Sequence, residues 1–301
     1  MATLLDCFLL YDIKSLQNMA KTYGSKLSDE KDIQISSLLQ TFQEKEILKQ
    51  RMGILDQPLY IQLLEDEDGN PISEDAYEKL TNLDLIYEGE VIEEVKEILK
   101  NETEHDKQRR MNRVWLMKCL CVVSHYYGEA SKALIETLYK QNEEVDKEED
   151  IIQLFNEIPV SERTCNLIGD DFVIRGYRSE KAFEELRKVQ QQYTYYVPTN
   201  KEIKDLYFED EDMCNQVLQL ERWYILNGND AEVVHSYVHE IWNDISYGKD
   251  IDEIYANLLL DIEFDNQQEQ NEYRELFQQL VQHTRRMDLR GHTILEVNHA
   301  S

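Results

Sequence analysis

The stretch that decides the fold is Lys107-Gln-Arg-Arg-Met-Asn-Arg-Val-Trp-Leu-Met-Lys-Cys-Leu-Cys-Val-Val123. It opens with four basic side chains and continues as a segment that is apolar on every side, which is typical of a buried helix. Two more helical patterns follow, and then two β-prone runs flank Gly169-Asp-Asp171. This order of three helices and a hairpin predicts a winged-helix-like unit at residues 105–178.

The rest of the sequence also favours helices. Of 301 residues, 42% are apolar, and only ten are glycine and four proline, which is typical of ordered helical units. We expect a mainly α fold, with an N-terminal helical or degenerate winged unit at 1–104 and a C-terminal helical bundle at 179–301. Short loops between the last helical patterns favour antiparallel packing in that bundle.

Several local patterns predict where helices begin and end. Ser15, Ser73 and Ser179 are expected N-caps, and Thr199 with Glu202 three residues later forms a capping-box pattern. A long helix is expected to continue to about Arg51. The acidic stretch from Glu65 to Pro71 is expected to be a loop, and Leu83 to Tyr87 a short strand.

The charge of the chain bears on its partners. It has 61 Asp and Glu against 32 Lys and Arg, a formal net charge of -29. Affinity for nucleic acid comes largely from Lys and Arg that neutralise phosphates, so most of this surface is expected to repel free nucleic acid. A basic protein surface would be attracted, and acidic side chains in lines spaced like phosphates would make the chain a nucleic-acid mimic.

The cysteines indicate a reducing compartment. The five residues Cys7, Cys119, Cys121, Cys165 and Cys214 are odd in number, and most sit inside apolar helical patterns, so we expect buried thiols and not disulfides. No apolar run reaches the length of a membrane span, and the N-terminus lacks the pattern of an export signal. We therefore expect a cytoplasmic protein with no membrane contact.

Two groups of residues could bind a metal ion, and each has a simpler interpretation. His235 and His239 lie one helical turn apart without a third ligand at a local spacing, so we interpret them as a helix face. Cys119 and Cys121 point to different sides of a helix and cannot share one ion. No cofactor or metal is predicted from these residues.

Catalytic motifs give no stronger signal. Asp84 with Glu94 and Lys96 follows the order of a metal-dependent nuclease, but Glu94 and Lys96 fall inside a helical pattern and chance matches are expected among so many carboxylates. There is no Gly-rich phosphate loop and no Gly-x-Ser-x-Gly motif. The sequence therefore predicts no catalytic residues and favours a protein that is not an enzyme.

The basic cluster Lys107, Arg109, Arg110 and Arg113 is the first candidate for partner or anion binding, because positive charge is scarce in this chain. In a winged helix the third helix normally reads DNA, and here that helix is acidic. Direct base readout is therefore disfavoured. The alternative is that the cluster forms intramolecular salt bridges.

The C-terminal stretch Leu280-Val-Gln-His-Thr-Arg-Arg-Met-Asp-Leu-Arg-Gly-His-Thr-Ile-Leu-Glu296 carries a resemblance. With Tyr195-Tyr-Val-Pro198 and the turn at Gly128, it resembles a group of uncharacterised acidic Firmicutes proteins, many of them assigned an accessory SEC-C zinc motif. The Cys-rich SEC-C segment is missing here, so no zinc site and no activity are implied. Arg285, Arg290 and His292 could form an anion site, or the arginines could pair with acidic neighbours.

The function expected from these patterns is non-catalytic. The chain would be an adaptor or inhibitor that uses acidic surfaces to engage a basic, possibly nucleic-acid-binding, protein. The alternatives are a winged-helix DNA-binding regulator and a metal-dependent enzyme of unrecognised type.

Overall fold

In the computed structural model the described residues are 2–67, 72–177, 179–208 and 215–300. They form two units, each discontinuous in sequence. Unit 1 contains residues 1–117 and 143–163, and unit 2 contains residues 118–142 and 164–301. The three-part division expected from the sequence stays a prediction.

The described residues are mainly helical, which confirms the predicted class. Helices of the first half are α1 (Leu4–Leu10), α2 (Ile13–Tyr23), α3 (Lys31–Glu44), α4 (Ile47–Met52), α5 (Gln57–Glu67), α6 (Glu74–Asn82), α7 (Glu93–Lys100), α8 (Glu104–Val122) and α9 (Lys132–Lys140). Those of the second half are α10 (Ile151–Glu157), α11 (Glu180–Gln190), α12 (Asn200–Phe208), α13 (Asn215–Leu226), α14 (Ala231–Ser246), α15 (Ile251–Asp261), α16 (Gln267–His283) and α17 (Ile294–Ala300). None of these helices is both long enough and apolar enough to cross a membrane.

Two small antiparallel sheets accompany the helices. In unit 1, β1 (Ile86–Tyr87) pairs with β2 (Glu90–Val91). In unit 2, β4 (Cys165–Ile168) and β5 (Asp171–Ile174) form the hairpin predicted around Gly169. A third strand, β3 (Glu129–Ser131), pairs with β5 and gives the order β3-β5-β4, which the sequence analysis did not predict.

The core of unit 1 is built from apolar helix faces around one buried ion pair. The rings of Phe8 and Phe42 meet edge to face, with centroids 5.1 Å apart. The Arg51 guanidinium lies 4.8 Å from the centroid of Phe42 and pairs with Asp84, and both charged side chains are buried. Tyr11 donates a hydrogen bond of 2.8 Å to the same Asp84 carboxylate, so the buried charge is well compensated.

Unit 2 has an aromatic core in its helical bundle. Helices α13, α14, α15 and α16 contribute Trp223, Tyr224, Val238, Leu258 and Tyr273, among others. The hydroxyl groups of Tyr224 and Tyr273 hydrogen bond at 2.9 Å, which satisfies two buried polar groups at once.

The end of α8 is as buried as its sequence predicted. Leu116, Cys119 and Leu120 are at most 1% exposed. A π-helical turn at Val123–Tyr127 follows, and Gly128 ends it with φ = 71°. This left-handed conformation favours glycine, and a Cβ there would lie 3.1 Å from the Leu186 side chain.

Four predicted boundaries are wrong, and others are confirmed. The strand expected from Leu83 to Tyr87 covers only Ile86–Tyr87, because Leu83 is the C-cap of α6. The expected long helix is interrupted between α3 and α4, where Glu46 has φ = 49°. The α2 N-cap is Asp12 and not Ser15, because the Asp12 carboxylate accepts from the Ser15 amide at 2.7 Å. Helix α5 extends through Glu67, so the expected loop from Glu65 is wrong there, and residues 68–71 lie outside the described part.

The confirmed boundaries are caps. The side chains of Ser73 and Ser179 accept hydrogen bonds from the third residue after each. Thr199 and Glu202 bond reciprocally, as a capping box requires.

Candidate functional site

The basic cluster at the start of α8 is held by carboxylates of unit 1. Arg109 forms a bidentate salt bridge with Glu157, in which Nε donates at 3.1 Å and Nη2 at 2.5 Å. Its Nη1 donates to Glu149 at 3.0 Å. Arg113 Nη1 donates to the same Glu157 at 2.9 Å. One carboxylate thus binds two arginines, which is the intramolecular pairing given above as the alternative.

The other two members of the cluster differ in exposure. The Lys107 ammonium pairs with Glu104 at 2.7 Å in an exposed position. Arg110 is 4% exposed, and its guanidinium lies 3.6 Å from the centroid of the Tyr60 ring. Burial lowers the pKa of Arg110 and of Arg113, although arginine remains protonated at neutral pH.

The acidic connection between α9 and α10 is tied to the same face of α8. Asn112 Oδ1 accepts from the Asp146 amide at 3.1 Å, and Gln108 Nε2 donates to the Glu144 carbonyl at 2.9 Å. Together with the Arg109–Glu149 pair, these bonds fix an acidic loop against a basic helix face. The cluster therefore has a structural role inside unit 1, and partner binding by its four members stays a prediction.

The second predicted group, near the C-terminus, is equally engaged within unit 2. Arg285 pairs with Glu202 at 3.0 Å and with Glu296 at 3.2 Å, and its guanidinium lies 3.5 Å from the centroid of Tyr196. His292 Nδ1 lies 3.5 Å from the same Glu296 carboxylate.

Arg290 completes this arrangement from the turn itself. Its Nη1 donates to the Tyr193 carbonyl at 2.9 Å, its guanidinium lies 4.3 Å from the Tyr195 centroid, and its own carbonyl accepts from the Tyr196 amide. The turn thus anchors the Tyr195–Pro198 segment. An anion site at Arg285, Arg290 and His292 stays a prediction.

The residues considered for metal or catalytic chemistry do not converge. The Glu94 carboxylate accepts from the Leu4 amide at 3.0 Å, whereas Asp84 is occupied by Arg51 and Tyr11. His235 bonds to Glu221 at 2.9 Å, and His239 to Asn243. Across the described ranges, no three His, Cys, Asp or Glu side chains are grouped to hold a metal ion.

The cysteines confirm the expectation of buried thiols. Cys7, Cys119, Cys121 and Cys165 are all buried and are not disulfide-bonded, and Cys214 lies outside the described residues. Burial raises the pKa of Cys7 and of Cys165 to about 12, which makes both poor nucleophiles at neutral pH.

A cleft in unit 2 is lined mainly by carboxylates and apolar side chains. It has a volume of about 500 Å³ and lies between α14 and α15. Its carboxylates are Glu240, Asp244, Asp250 and Glu253, and Lys249 pairs with Asp244.

Buried apolar side chains of Ile241, Ile254 and Leu258 form the floor of this cleft. An acidic rim above an apolar floor suits a Lys or Arg side chain, whose methylene stem is apolar and whose end is charged. Sequence reasoning missed this cleft, because the carboxylates come from two helices and an intervening loop and show no motif. We name it the α14–α15 cleft.

Comparison of the chain with protein-family models, with curated proteins and with solved structures finds no match. The resemblance described under Sequence analysis is not tested by these comparisons.

Proposed function

We propose that the chain is a non-catalytic interaction protein, an adaptor or inhibitor, whose acidic surfaces bind a basic protein in the cytoplasm. The observation that carries the proposal is the internal use of scarce positive charge: the carboxylate of Glu157 binds both Arg109 and Arg113, and Glu149 also binds Arg109. With a net charge of -29, the remaining surface is dominated by carboxylates. Such a surface attracts cationic partners over distances of about a Debye length.

The α14–α15 cleft is the proposed contact for one basic side chain of that partner. Glu240, Asp250 and Glu253 are exposed at its rim, so a cation can reach them from solvent. A partner that itself binds nucleic acid would present the required Lys and Arg residues. The role of the chain would then be to compete with phosphates for that surface.

A second candidate function is a winged-helix DNA-binding regulator, which the topology favours. The chain order α8, β3, α9, α10, β4, β5 is that of a winged helix, and the sheet order β3-β5-β4 within unit 2 supports this candidate. Charge opposes DNA binding: α10 contains no Lys or Arg, and Asp170 with Asp171 lies at the hairpin turn. We therefore place it second, and a metal-dependent enzyme of unrecognised type third.

Capture from a bacterial lysate tests the proposal. The immobilised chain should enrich basic proteins at about 50 mM salt and release them at about 500 mM, because the Debye length shrinks several-fold over this range. The double variant Glu240→Gln/Glu253→Gln should capture less than Glu143→Gln/Glu148→Gln, which has the same net charge and alters exposed carboxylates outside the α14–α15 cleft. Failure to enrich any basic protein at low salt would refute the proposal.

A further inference from the structure

Unit 1 contains a cleft whose lining is unlike that of the α14–α15 cleft. Its volume is about 300 Å³, at the lower end of the range for small-molecule sites. Arg110 and Arg113 line it from α8, Met52 and Gly53 from the end of α4, and Ile98 from α7. We name it the arginine cleft.

The two arginines have donors that the protein does not use. Within the described part of the chain, Arg110 makes one long hydrogen bond, of 3.5 Å to the Leu55 carbonyl, and its Nε is buried without an acceptor. The nearest carboxylate oxygen, of Glu102, is 3.9 Å from that Nε, beyond hydrogen-bond distance.

Arg113 also has a hydrogen-bond donor without an acceptor. It donates to Glu157 through Nη1, and its Nε is also buried without an acceptor. Arg110 is 4% exposed and Arg113 8%. Each guanidinium has five N–H groups, and leaving such donors buried without acceptors is costly. An oxyanion inside the cleft would supply acceptors to the Nη2 groups of Arg110 and Arg113, which have none among the described residues.

The rim of the arginine cleft carries carboxylates that would repel a simple anion. Glu46 and Glu97 line it and are exposed, and their carboxylates have no hydrogen-bond donor among the described residues. Lys49, which also lines the cleft, is paired with Asp106 at 3.2 Å. A ligand with one negative charge would meet repulsion at this rim, whereas a ligand with an additional cationic end would be attracted to it.

We propose that the arginine cleft binds a zwitterion that has a carboxylate and a separate cationic end. The carboxylate accepts hydrogen bonds from Arg110 and Arg113, the cationic end lies between Glu46 and Glu97, and the connecting methylene groups contact Ile98. A basic amino acid and the C-terminal basic residue of a peptide both have this chemistry. The site does not depend on the proposed function, because Arg110 and Arg113 would bind the carboxylate of a small ligand and not the surface of a basic protein.

Calorimetric titration of the full chain with four organic probes and inorganic phosphate tests the ligand class. Nα-acetyl-L-lysine has the carboxylate and the side-chain cation, its amide lacks the carboxylate, and Nα-acetyl-L-norleucine lacks the cation. We expect each control to bind at least about tenfold more weakly than Nα-acetyl-L-lysine, as loss of one charge-assisted interaction implies. Tighter binding of L-lysine, the fourth probe, would indicate a free amino acid, and tighter binding of Nα-acetyl-L-lysine a peptide terminus.

Equal binding of the amide, or no binding of either lysine probe, would overturn the proposal. So would inorganic phosphate that binds as tightly as Nα-acetyl-L-lysine, because the rim would then have no role.

Variants locate the site. Glu97→Gln alters an exposed residue and should lower affinity for Nα-acetyl-L-lysine, whereas it should raise that for Nα-acetyl-L-norleucine, whose single negative charge the rim repels. Gly53→Ala places a Cβ 2.6 Å from Arg113 Cζ, so the guanidinium must move and binding of both probes should weaken. If Gly53→Ala does not fold, Glu97→Gln still decides: an unchanged preference for the lysine probe over the norleucine probe would overturn the proposed cation position.

Discussion

Replacing Glu157 by Gln removes the carboxylate that binds two arginines of α8. The side chains of Arg109 and Arg113 are 20% and 10% exposed and that of Glu157 is 26% exposed, so solvent compensates only part of the loss. A hydrogen bond to a charged group contributes about 1.5 to 3 kcal/mol, and leaving a charge buried adds to the cost. Because Glu149 still binds Arg109, we expect the free energy of unfolding to fall by about 2 to 3 kcal/mol, chiefly from Arg113.

Urea unfolding followed by circular dichroism measures this change. The matched control is Glu143→Gln, which removes an exposed carboxylate paired with Lys147 and should alter stability by less than about 0.5 kcal/mol. The effect of Glu157→Gln should persist at high salt, since partly buried pairs are screened less than exposed ones. A Glu157→Gln protein as stable as the control would refute the internal role assigned to the basic cluster.

Two further predictions concern a carboxyl pKa and a glycine. Hydrogen bonds from Thr103, with Lys49 nearby, lower the pKa of Asp106 to about 2. The interaction of Asp106 with Thr103 therefore stabilises the fold above the ordinary pKa of Asp, and this contribution is lost as the pH falls toward 2. Thr103→Ala should raise the pKa of Asp106 measured by NMR titration. An unchanged pKa would contradict the role assigned to Thr103. Gly128→Ala should destabilise the protein more than Gly169→Ala. Both glycines have positive φ, which costs a residue with a Cβ about 1 to 2 kcal/mol. Of the two, only Gly128 has side chains within 4 Å of the added Cβ. Equal thermal shifts for the two variants would contradict that packing.

The hairpin was predictable from sequence and its third strand was not. Gly169 between two β-prone runs is a local signal, and the pairing of Leu167 with Phe172 depends on residues only five apart. Strand β3 has three residues, too few for an alternating pattern, and Ala130 pairs with Phe172 across 42 positions. Its existence depends on tertiary pairing that no local window contains.

The interruption between α3 and α4 has a similar cause. Helical spacing continues through this region, but Glu46 adopts a left-handed conformation, and Lys45 donates to the Tyr23 carbonyl. The sequence contains no proline or glycine at this point to signal the break.

The candidate site was also predictable only in part. The basic residues of α8 were visible because positive charge is rare in this chain. Their partners were not, because Glu157 lies 44 residues after Arg113 in the sequence and Tyr60 lies 50 residues before Arg110. Charge composition thus identified the cluster, and only the packing of α10 and α5 in unit 1 determines that its members bond inward.

The most direct test of the central claim compares a cationic and an anionic partner in one assay. Fluorescence anisotropy would follow a labelled oligolysine peptide and a labelled mixed-sequence DNA duplex, each titrated with the chain at low and high salt. We predict that oligolysine binds with an affinity that falls as salt rises, and that DNA does not bind even at low salt. Glu240→Gln/Glu253→Gln should weaken oligolysine binding more than the charge-matched Glu143→Gln/Glu148→Gln. Binding of the duplex without binding of oligolysine would contradict the account and favour the winged-helix regulator.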